Sequence, residues 1–129
     1  MSSNTRPVIV SGRAGWFSAN SPARMIADRR AFRTHGSLSG RMIRNGDALP
    51  VGQLPDDYAR RLLVDVRNYG PVFVVFSYAT PIAWIDANGD ATIPDVKYSV
   101  TTTRHQHTAR MGMAVATGEY DRPAEWDAS

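Results

Sequence analysis

The chain contains no cysteine, and arginine outnumbers lysine fourteen to one. Without cysteine there is no disulfide, no thiolate metal site and no cysteine nucleophile, and a reducing compartment is the natural setting. No apolar run approaches the length that crosses a bilayer, and the first residues, Met1 to Arg6, are polar, as in a loose terminus. We therefore expect a soluble cytoplasmic protein with no membrane partner, folded around one modest core.

Charge is unevenly distributed along the 129 residues. Residues 1–67 hold eleven arginines and five aspartates, whereas residues 68–129 hold four basic and seven acidic residues. Six arginines share a short span that contains a single acid, Asp28: they are Arg24, Arg29, Arg30, Arg33, Arg41 and Arg44. This segment predicts an anionic partner such as nucleic acid, or it reflects only the arginine codons of a GC-rich genome.

The strongest helix signal covers Leu54 to Tyr69. Pro55, Asp56 and Asp57 fill its first turn, and Gly70-Pro71 ends it. One apolar stripe at helical spacing is expected to face the core, with the members Tyr58, Ala59, Leu62, Leu63, Val66 and Tyr69.

A three-stranded meander is predicted next. Val72 to Tyr78 is rich in β-branched and aromatic residues and forms a central strand, followed by a tight connection over residues 79–81, because Pro81 cannot donate to a sheet. Asn88-Gly89 predicts a type I′ hairpin turn. In that register Trp84 stands opposite Ile93, and Ile85 stands opposite Thr92.

Weaker patterns complete the architecture. They predict a short strand at residues 8–10, a helix capped by Ser21-Pro22 that runs to Phe32, a strand over 38–43, and a sheet extension at 98–100. Thr103-Arg104-His105-Gln106 matches a capping box and predicts a helix to about Ala116. The fold class is α+β, a small antiparallel meander sheet over 72–93 with two or three helices packed on one face. Residues 1–118 form the domain, and 119–129 form an acidic tail, either flexible or docked through Tyr120 and Trp126.

Catalytic signatures are few. The sequence has no Gly-x-Ser-x-Gly elbow, no glycine-rich phosphate loop and no pair of carboxylates in an apolar setting. His35, His105 and His107 are a conceivable zinc set, but two histidines two apart on a helix point in different directions. We expect no catalytic residue, no metal and no cofactor, and hence no enzyme.

A binding surface is the remaining candidate for a site. If the meander packs on the last helix, one polar and aromatic surface is expected there, formed by Tyr78, Thr80, Trp84, Tyr98, Thr102, Arg104 and His105. Many of its members are hydroxyl residues, whose usual role is capping and turn bonding.

Two segments resemble a known group of proteins. FVVFSYATPIAW, Phe73 to Trp84, and IPDVKYSVTTTRHQ, Ile93 to Gln106, resemble the pattern Y-S-Y-x-T-P-I-A-W, hairpin, Y-S-x-T-T-x-x-H of short proteins of unassigned function from actinobacterial phages. FRTHGSLSG, Phe32 to Gly40, is similar to a third element of that family. The chain departs from the pattern at Phe76, where tyrosine is expected, and at Ala79, where relatives often have glycine.

The resemblance implies a small accessory phage protein that acts in the host cytoplasm. Our leading hypothesis is a non-enzymatic protein that binds a host macromolecule, a protein above all, and perturbs host physiology, with growth inhibition as one such effect. The alternative is nucleic-acid binding through the Arg24–Arg44 segment. An exposed sheet edge also leaves a homodimer open.

Overall fold

The computed structural model describes residues 6–12 and 14–128, so most of the predicted loose terminus, residues 1–5, lies outside the described residues. One mixed sheet forms the centre of the chain. The elements in chain order are β1 (Val8–Ile9), α1 (Pro22–Ala27), β2 (Phe32–Arg33), β3 (Leu38–Ile43), α2 (Asp56–Tyr69), β4 (Val72–Ser77), β5 (Thr80–Ile85), β6 (Ala91–Thr92), α3 (Val100–Ala116) and a 3-10 helix (Ala124–Asp127).

The six strands of the described chain lie side by side in sequence order. Each neighbouring pair is antiparallel except β1 and β2, which are parallel. The α+β class is therefore confirmed, and the predicted meander is the β4–β5–β6 part of a larger sheet. None of the described helices is long and apolar enough to cross a membrane.

Strand β4 is buried on both faces. Phe73 and Val75 face one core with α1 and α3, whereas Val72, Val74 and Phe76 face a second core with α2. The predicted arrangement of helices on one face is corrected accordingly: α1 and α3 cover one face of the sheet and α2 covers the other. The physical reason is the uninterrupted apolar run of β4, which needs cover on both sides.

Helix α1 begins as predicted and ends early. The Ser21 hydroxyl accepts the backbone N–H of Arg24 at 3.1 Å, so Ser21 is the N-cap and Pro22 follows at the first helical position. The helix ends at Ala27, and Arg29 adopts a φ of 52°. Phe32, expected in this helix, instead lies fully buried in β2.

Helices α1 and α3 touch at Gly112. A Cβ atom placed there would lie 2.6 Å from Cβ of Ile26 and 2.9 Å from the carbonyl oxygen of Ala23. Only glycine allows the two backbones to approach this closely. This contact sets the position of α3 against α1.

The connection between β4 and β5 is shorter than predicted. Ser77 pairs with Thr80, which leaves Tyr78 and Ala79 as the turn and places Pro81 inside β5. The register shifts between Val75 and Phe76 on β4, so β5 carries one additional residue there. A bulge at this point accommodates proline, which has no N–H to give to the ladder.

The register of the β5–β6 hairpin is also corrected. Trp84 pairs with Thr92 and Ile85 with Ala91, one residue away from the prediction of Trp84 opposite Ile93. The turn explains the shift. Its Asn88-Gly89 pair has positive φ only at Gly89, so it is not a type I′ turn.

Asp86 holds this hairpin loop. Its carbonyl oxygen accepts the N–H of Gly89, and its own N–H donates to the carbonyl of Asp90, each at 3.0 Å. Its buried carboxylate accepts the N–H groups of Asn88 and Asp90 at 2.8 and 3.0 Å. The loop is thus one residue longer than a two-residue hairpin turn.

The C-terminal segment packs on the rest of the chain. Trp126 is 1% exposed, and its Nε1–H donates to the carbonyl oxygen of Trp16 at 2.7 Å. Arg122 donates to both carboxylate oxygens of Asp28, at 2.6 and 3.2 Å, and also bonds Asp127. Residues 119–128 are therefore docked by one buried ring and one ion cluster, so a separate flexible tail is not what the structure contains.

Candidate functional site

Helix α3 begins four residues before the predicted capping box. Ser99 is its N-cap, and the Ser99 hydroxyl accepts the N–H of Thr102 at 3.1 Å. The predicted strand at residues 98–100 and the predicted cap at Thr103 are both wrong, because Ser99 caps first. The earlier start places Thr102 on the buried side of the first turn, next to the end of β4.

A chain of hydrogen bonds joins this first turn to β4. The Ser99 hydroxyl donates to Oγ1 of Thr102 at 3.1 Å, Thr102 Oγ1 lies 3.1 Å from Oγ of Ser77, and Ser77 Oγ lies 2.7 Å from Nδ1 of His105. Each hydroxyl has one proton to give. All three bonds form together when the hydroxyls donate in one direction, toward an Nδ1 that carries no proton.

The charge state of His105 fits that arrangement. Burial lowers the pKa of His105 below its ordinary value, and the neighbouring Arg104 cation lowers the pKa further. The neutral imidazole, which accepts at Nδ1, is therefore favoured.

Tyr78 has an unusual backbone conformation. It adopts a φ of +57°, a region that side chains other than glycine rarely occupy, and its side chain is 65% exposed. Its N–H donates to the carbonyl oxygen of Ser37 at 2.8 Å, which fixes the turn against the β2–β3 loop. A strained residue with an exposed ring is a feature that often marks a functional site.

One face of Tyr78 borders a cleft of about 670 Å³, which we call the Tyr78 cleft. It is lined by Ser11, Gly12, the loop Thr34–Leu38, Tyr78, Thr101, Arg104, His105 and Thr108. Three of these side chains, His35, Arg104 and His105, are basic, and none of the lining residues named here is acidic. Most of the others carry hydroxyl groups that donate hydrogen bonds.

A smaller pocket of about 190 Å³ lies on the other side of Tyr78. Its lining is Gln53, Ser77, Tyr78, Thr80, Tyr98, Ser99 and Thr102. The Tyr98 hydroxyl is buried and has no hydrogen-bond partner within the described residues. Burial raises the pKa of Tyr98, with a smaller contribution from Tyr58. Thr80 Oγ1 accepts the N–H of Gln53 at 3.0 Å and so holds the loop before α2 at this pocket.

The structure places six of the seven predicted surface residues around Tyr78. Arg104 and His105 line the Tyr78 cleft, and Thr80, Tyr98 and Thr102 line the smaller pocket.

Trp84 is the exception and requires a correction. It is 0% exposed and lies in the core covered by α2, where its Nε1–H donates to Asp65 at 2.9 Å. The alternation along β5 turns this ring to the opposite face of the sheet, so it cannot contribute to a surface beside Tyr78.

The six arginines of the basic segment do not form one surface. Arg24 lies on α1 and pairs with Asp28 at 3.5 Å and with Asp127 at 3.7 Å. Arg41 lies on the opposite face of the sheet, 4.5 Å above the Phe76 ring. The remaining four are distributed over the α1–β2 turn, β2 and the turn after β3: Arg29, Arg30, Arg33 and Arg44.

The groups that line the Tyr78 cleft can donate hydrogen bonds and pair with an anion. Ser77 and His105 resemble a nucleophile and its base, but Ser77 is 1% exposed and is the sole hydrogen-bond partner of the His105 ring within the described chain. A catalytic histidine is normally oriented by a third group. Across residues 6–12 and 14–128, no group of three or more histidine or acidic side chains is arranged to hold a metal ion.

Sequence reasoning overlooked Ser77 as a connector and the loop Thr34–Ser37 as a wall of the cleft. Ser77 had a usable signal, since it is the one polar residue that interrupts the apolar run of β4. The loop had none, because its position depends on the pairing of β3 with β4, a contact between distant segments.

Comparison with known proteins gives one match. The model of the family of unknown function DUF8033 matches residues 15–127. No curated protein and no solved structure matches the chain.

Proposed function

Because the chain belongs to the family of unknown function DUF8033, which brings no activity with it, we propose from its own geometry that it is a non-enzymatic binding protein that engages a host protein at the Tyr78 cleft. By occupying its partner, it perturbs host physiology.

The strained and exposed Tyr78 is the observation that carries this proposal. A non-glycine residue at φ +57° costs of order 1–3 kcal/mol, and glycine at the same position would avoid that cost. Tyr78 is 65% exposed and belongs to none of the hydrophobic core clusters of the described residues. A costly side chain that contributes little to the core is well explained by contact with a partner.

The surroundings of Tyr78 favour binding over catalysis. The Ser77 hydroxyl is closed off from solvent and committed to Thr102 and His105, which holds α3 to β4. The groups that remain accessible in the cleft are a ring, a guanidinium and several hydroxyls, all suited to recognition.

The origin of the chain is part of the proposal. The resemblance of Phe73–Gln106 to short actinobacteriophage proteins supports a small accessory protein that acts in the cytoplasm of an actinobacterial host. Three residues that line the cleft lie within that stretch: Tyr78, Arg104 and His105.

Nucleic-acid binding through Arg24–Arg44 has less support. An extended anionic backbone requires several cations along one surface. Here Arg24 is paired with carboxylates, and Arg41 lies across the sheet from it.

Site-specific photo-cross-linking in an actinobacterial host tests the proposal. Tyr78→p-benzoylphenylalanine keeps an aromatic ring at the cleft, and the same replacement at Tyr69, a tyrosine that is also exposed, at the end of α2, is the control. We expect one host protein to be cross-linked from position 78 and not from position 69. Identical cross-links from both positions, or none from position 78, would contradict a partner at the cleft.

A further inference from the structure

The charge of the Tyr78 cleft indicates what part of a partner it recognises. Resting on the proposed function above, we propose that the cleft binds an acidic segment of the partner protein, with Arg104 contacting a carboxylate beside the Tyr78 ring. The ligand is thus defined by its chemistry, an extended stretch of Asp or Glu side chains.

The first argument is the one-sided composition of the cleft. Its lining contains Arg104, His105 and His35 and not a single Asp or Glu. Arg104 is exposed and takes part in none of the ion pairs found within the described residues. The cleft therefore offers a permanent cation to a ligand without first breaking an internal pair.

The second argument is the contrast between the two long helices. Helix α2 has Asp56 and Asp57 in its first turn, where negative charge offsets the positive end of the helix dipole. Helix α3 has no acid in its first turn and places Arg104 in the next. The first two turns of α3 thus carry the Arg104 cation and no carboxylate, so the side of α3 that lines the cleft is left positive.

The third argument distinguishes a protein segment from nucleic acid. Among the described residues that line the cleft, Arg104 is the one permanent cation, since the pKa of His105 is lowered by burial and by Arg104. A nucleic-acid backbone would need a row of cations to match its regularly spaced phosphates. One guanidinium, one exposed ring and the hydroxyls of Ser37, Thr101 and Thr108 instead match a carboxylate within a peptide.

Peptide titration of the intact chain tests this inference. The probe is a fluorescein-labelled peptide of alternating glutamate and serine, and its control replaces every glutamate with glutamine. We expect the acidic peptide to bind with a strong salt dependence, to shift the amide NMR signals of Thr101 and Arg104, and to exceed the glutamine peptide by about tenfold or more in affinity.

Arg104→Gln supplies the variant, and Arg110→Gln is its matched control. Arg110 lies on the same helix but lines a different hollow, between α3 and the β5–β6 hairpin. Arg104→Gln is expected to reduce affinity for the acidic peptide about tenfold, while Arg110→Gln leaves it unchanged. Because both variants remove one exposed arginine from α3, a general loss of charge cannot imitate the result.

Three outcomes overturn the inference. The first is equal binding of the glutamate and glutamine peptides. The second is an equal effect of Arg104→Gln and Arg110→Gln on the affinity for the acidic peptide. The third is a shift of the same amide signals by a single-stranded oligonucleotide at a lower concentration than the acidic peptide requires. One further result would overturn the inference and leave the proposed function standing. A cross-link from position 78 that persists unchanged in the Arg104→Gln background would retain the binding protein and remove only the acidic ligand.

Discussion

Oγ of Ser77 lies 2.7 Å from Nδ1 of His105, and this contact joins the last residue of β4 to the second turn of α3. Ser77 directly precedes the β4–β5 turn, and His105 directly follows Arg104. The bond therefore holds the strained Tyr78 and the Arg104 side of the cleft in a fixed relation, so the two proposed binding residues belong to one rigid unit.

Replacing Ser77 tests this connection. Ser77→Ala leaves Thr102 Oγ1 and Nδ1 of His105 without their shared partner, so we expect the free energy of unfolding to fall by about 1–3 kcal/mol. Chemical denaturation measures the change. Thr108→Ala, a hydroxyl on the same helix with no such bond, is the control and should have little effect; equal losses in the two variants would refute the connecting role.

Acid should weaken the same connection. The pKa of His105 in the folded chain is lowered by burial and by Arg104. At a pH below the ordinary pKa of histidine, the unfolded chain therefore binds a proton more readily than the folded chain. The His105 contribution to stability is therefore complete above pH of about 6.5 and is lost as the pH falls through the lower, folded pKa. Denaturation curves measured across this range should show the decline.

Comparison with His107 isolates the residue responsible. His105→Gln should remove the pH-dependent component that His105 contributes, and His107→Gln, at an exposed position of the same helix, is the matched control. The groups to consider around His105 are Arg104 on its own helix and His35 across the cleft. If stability proves flat between neutral and mildly acidic pH in the parent chain, the assignment of a neutral, buried His105 is wrong.

The element types were predictable where one pattern dominated. The sequence was sufficient to predict helix α2, strand β4 and the strand Leu38–Ile43, because each of these patterns is longer than a turn. The start of α3 was not, since Ser99 and Thr103 are both good N-cap residues and only packing decides between them. The β5–β6 register was not predictable either, because it depends on a hairpin loop in which Gly89 alone of the Asn88-Gly89 pair is left-handed.

Most of the candidate site was predictable for a similar reason. The proximity of Tyr78 to Thr102, Arg104 and His105 was predictable, because a strand end and a helix start that pack together bring their side chains close. Trp84 was misplaced because faces alternate along a strand, and a ring of this size was assumed to lie on the surface. The two-sided burial of β4 was also underestimated, although its uninterrupted apolar run, Val72–Phe76, already favoured cover on both faces.

The C-terminal segment provides another test. Trp126→Ala removes a buried ring and leaves the carbonyl of Trp16 without its indole donor, so we expect a loss of about 3–5 kcal/mol in unfolding free energy. Tyr120→Ala, an exposed ring in the same segment, should change stability by less than about 0.5 kcal/mol. A negligible effect of Trp126→Ala would mean that residues 119–128 are the separate tail first expected from their charge.

Tyr78→Gly gives the most direct test of the binding site, because it separates folding from function. Glycine adopts a φ of +57° without strain, so the variant should be as stable as the parent or more stable by about 1 kcal/mol. Tyr69→Ala serves as the control for loss of an exposed ring.

The decisive measurement is therefore the affinity of Tyr78→Gly for the cross-linked host protein, taken together with its free energy of unfolding. Our account predicts affinity reduced by about tenfold or more with stability retained, since an exposed aromatic anchor contributes at least that much to a protein interface. An affinity equal to that of the parent chain, in a variant that is folded and at least as stable, would contradict it.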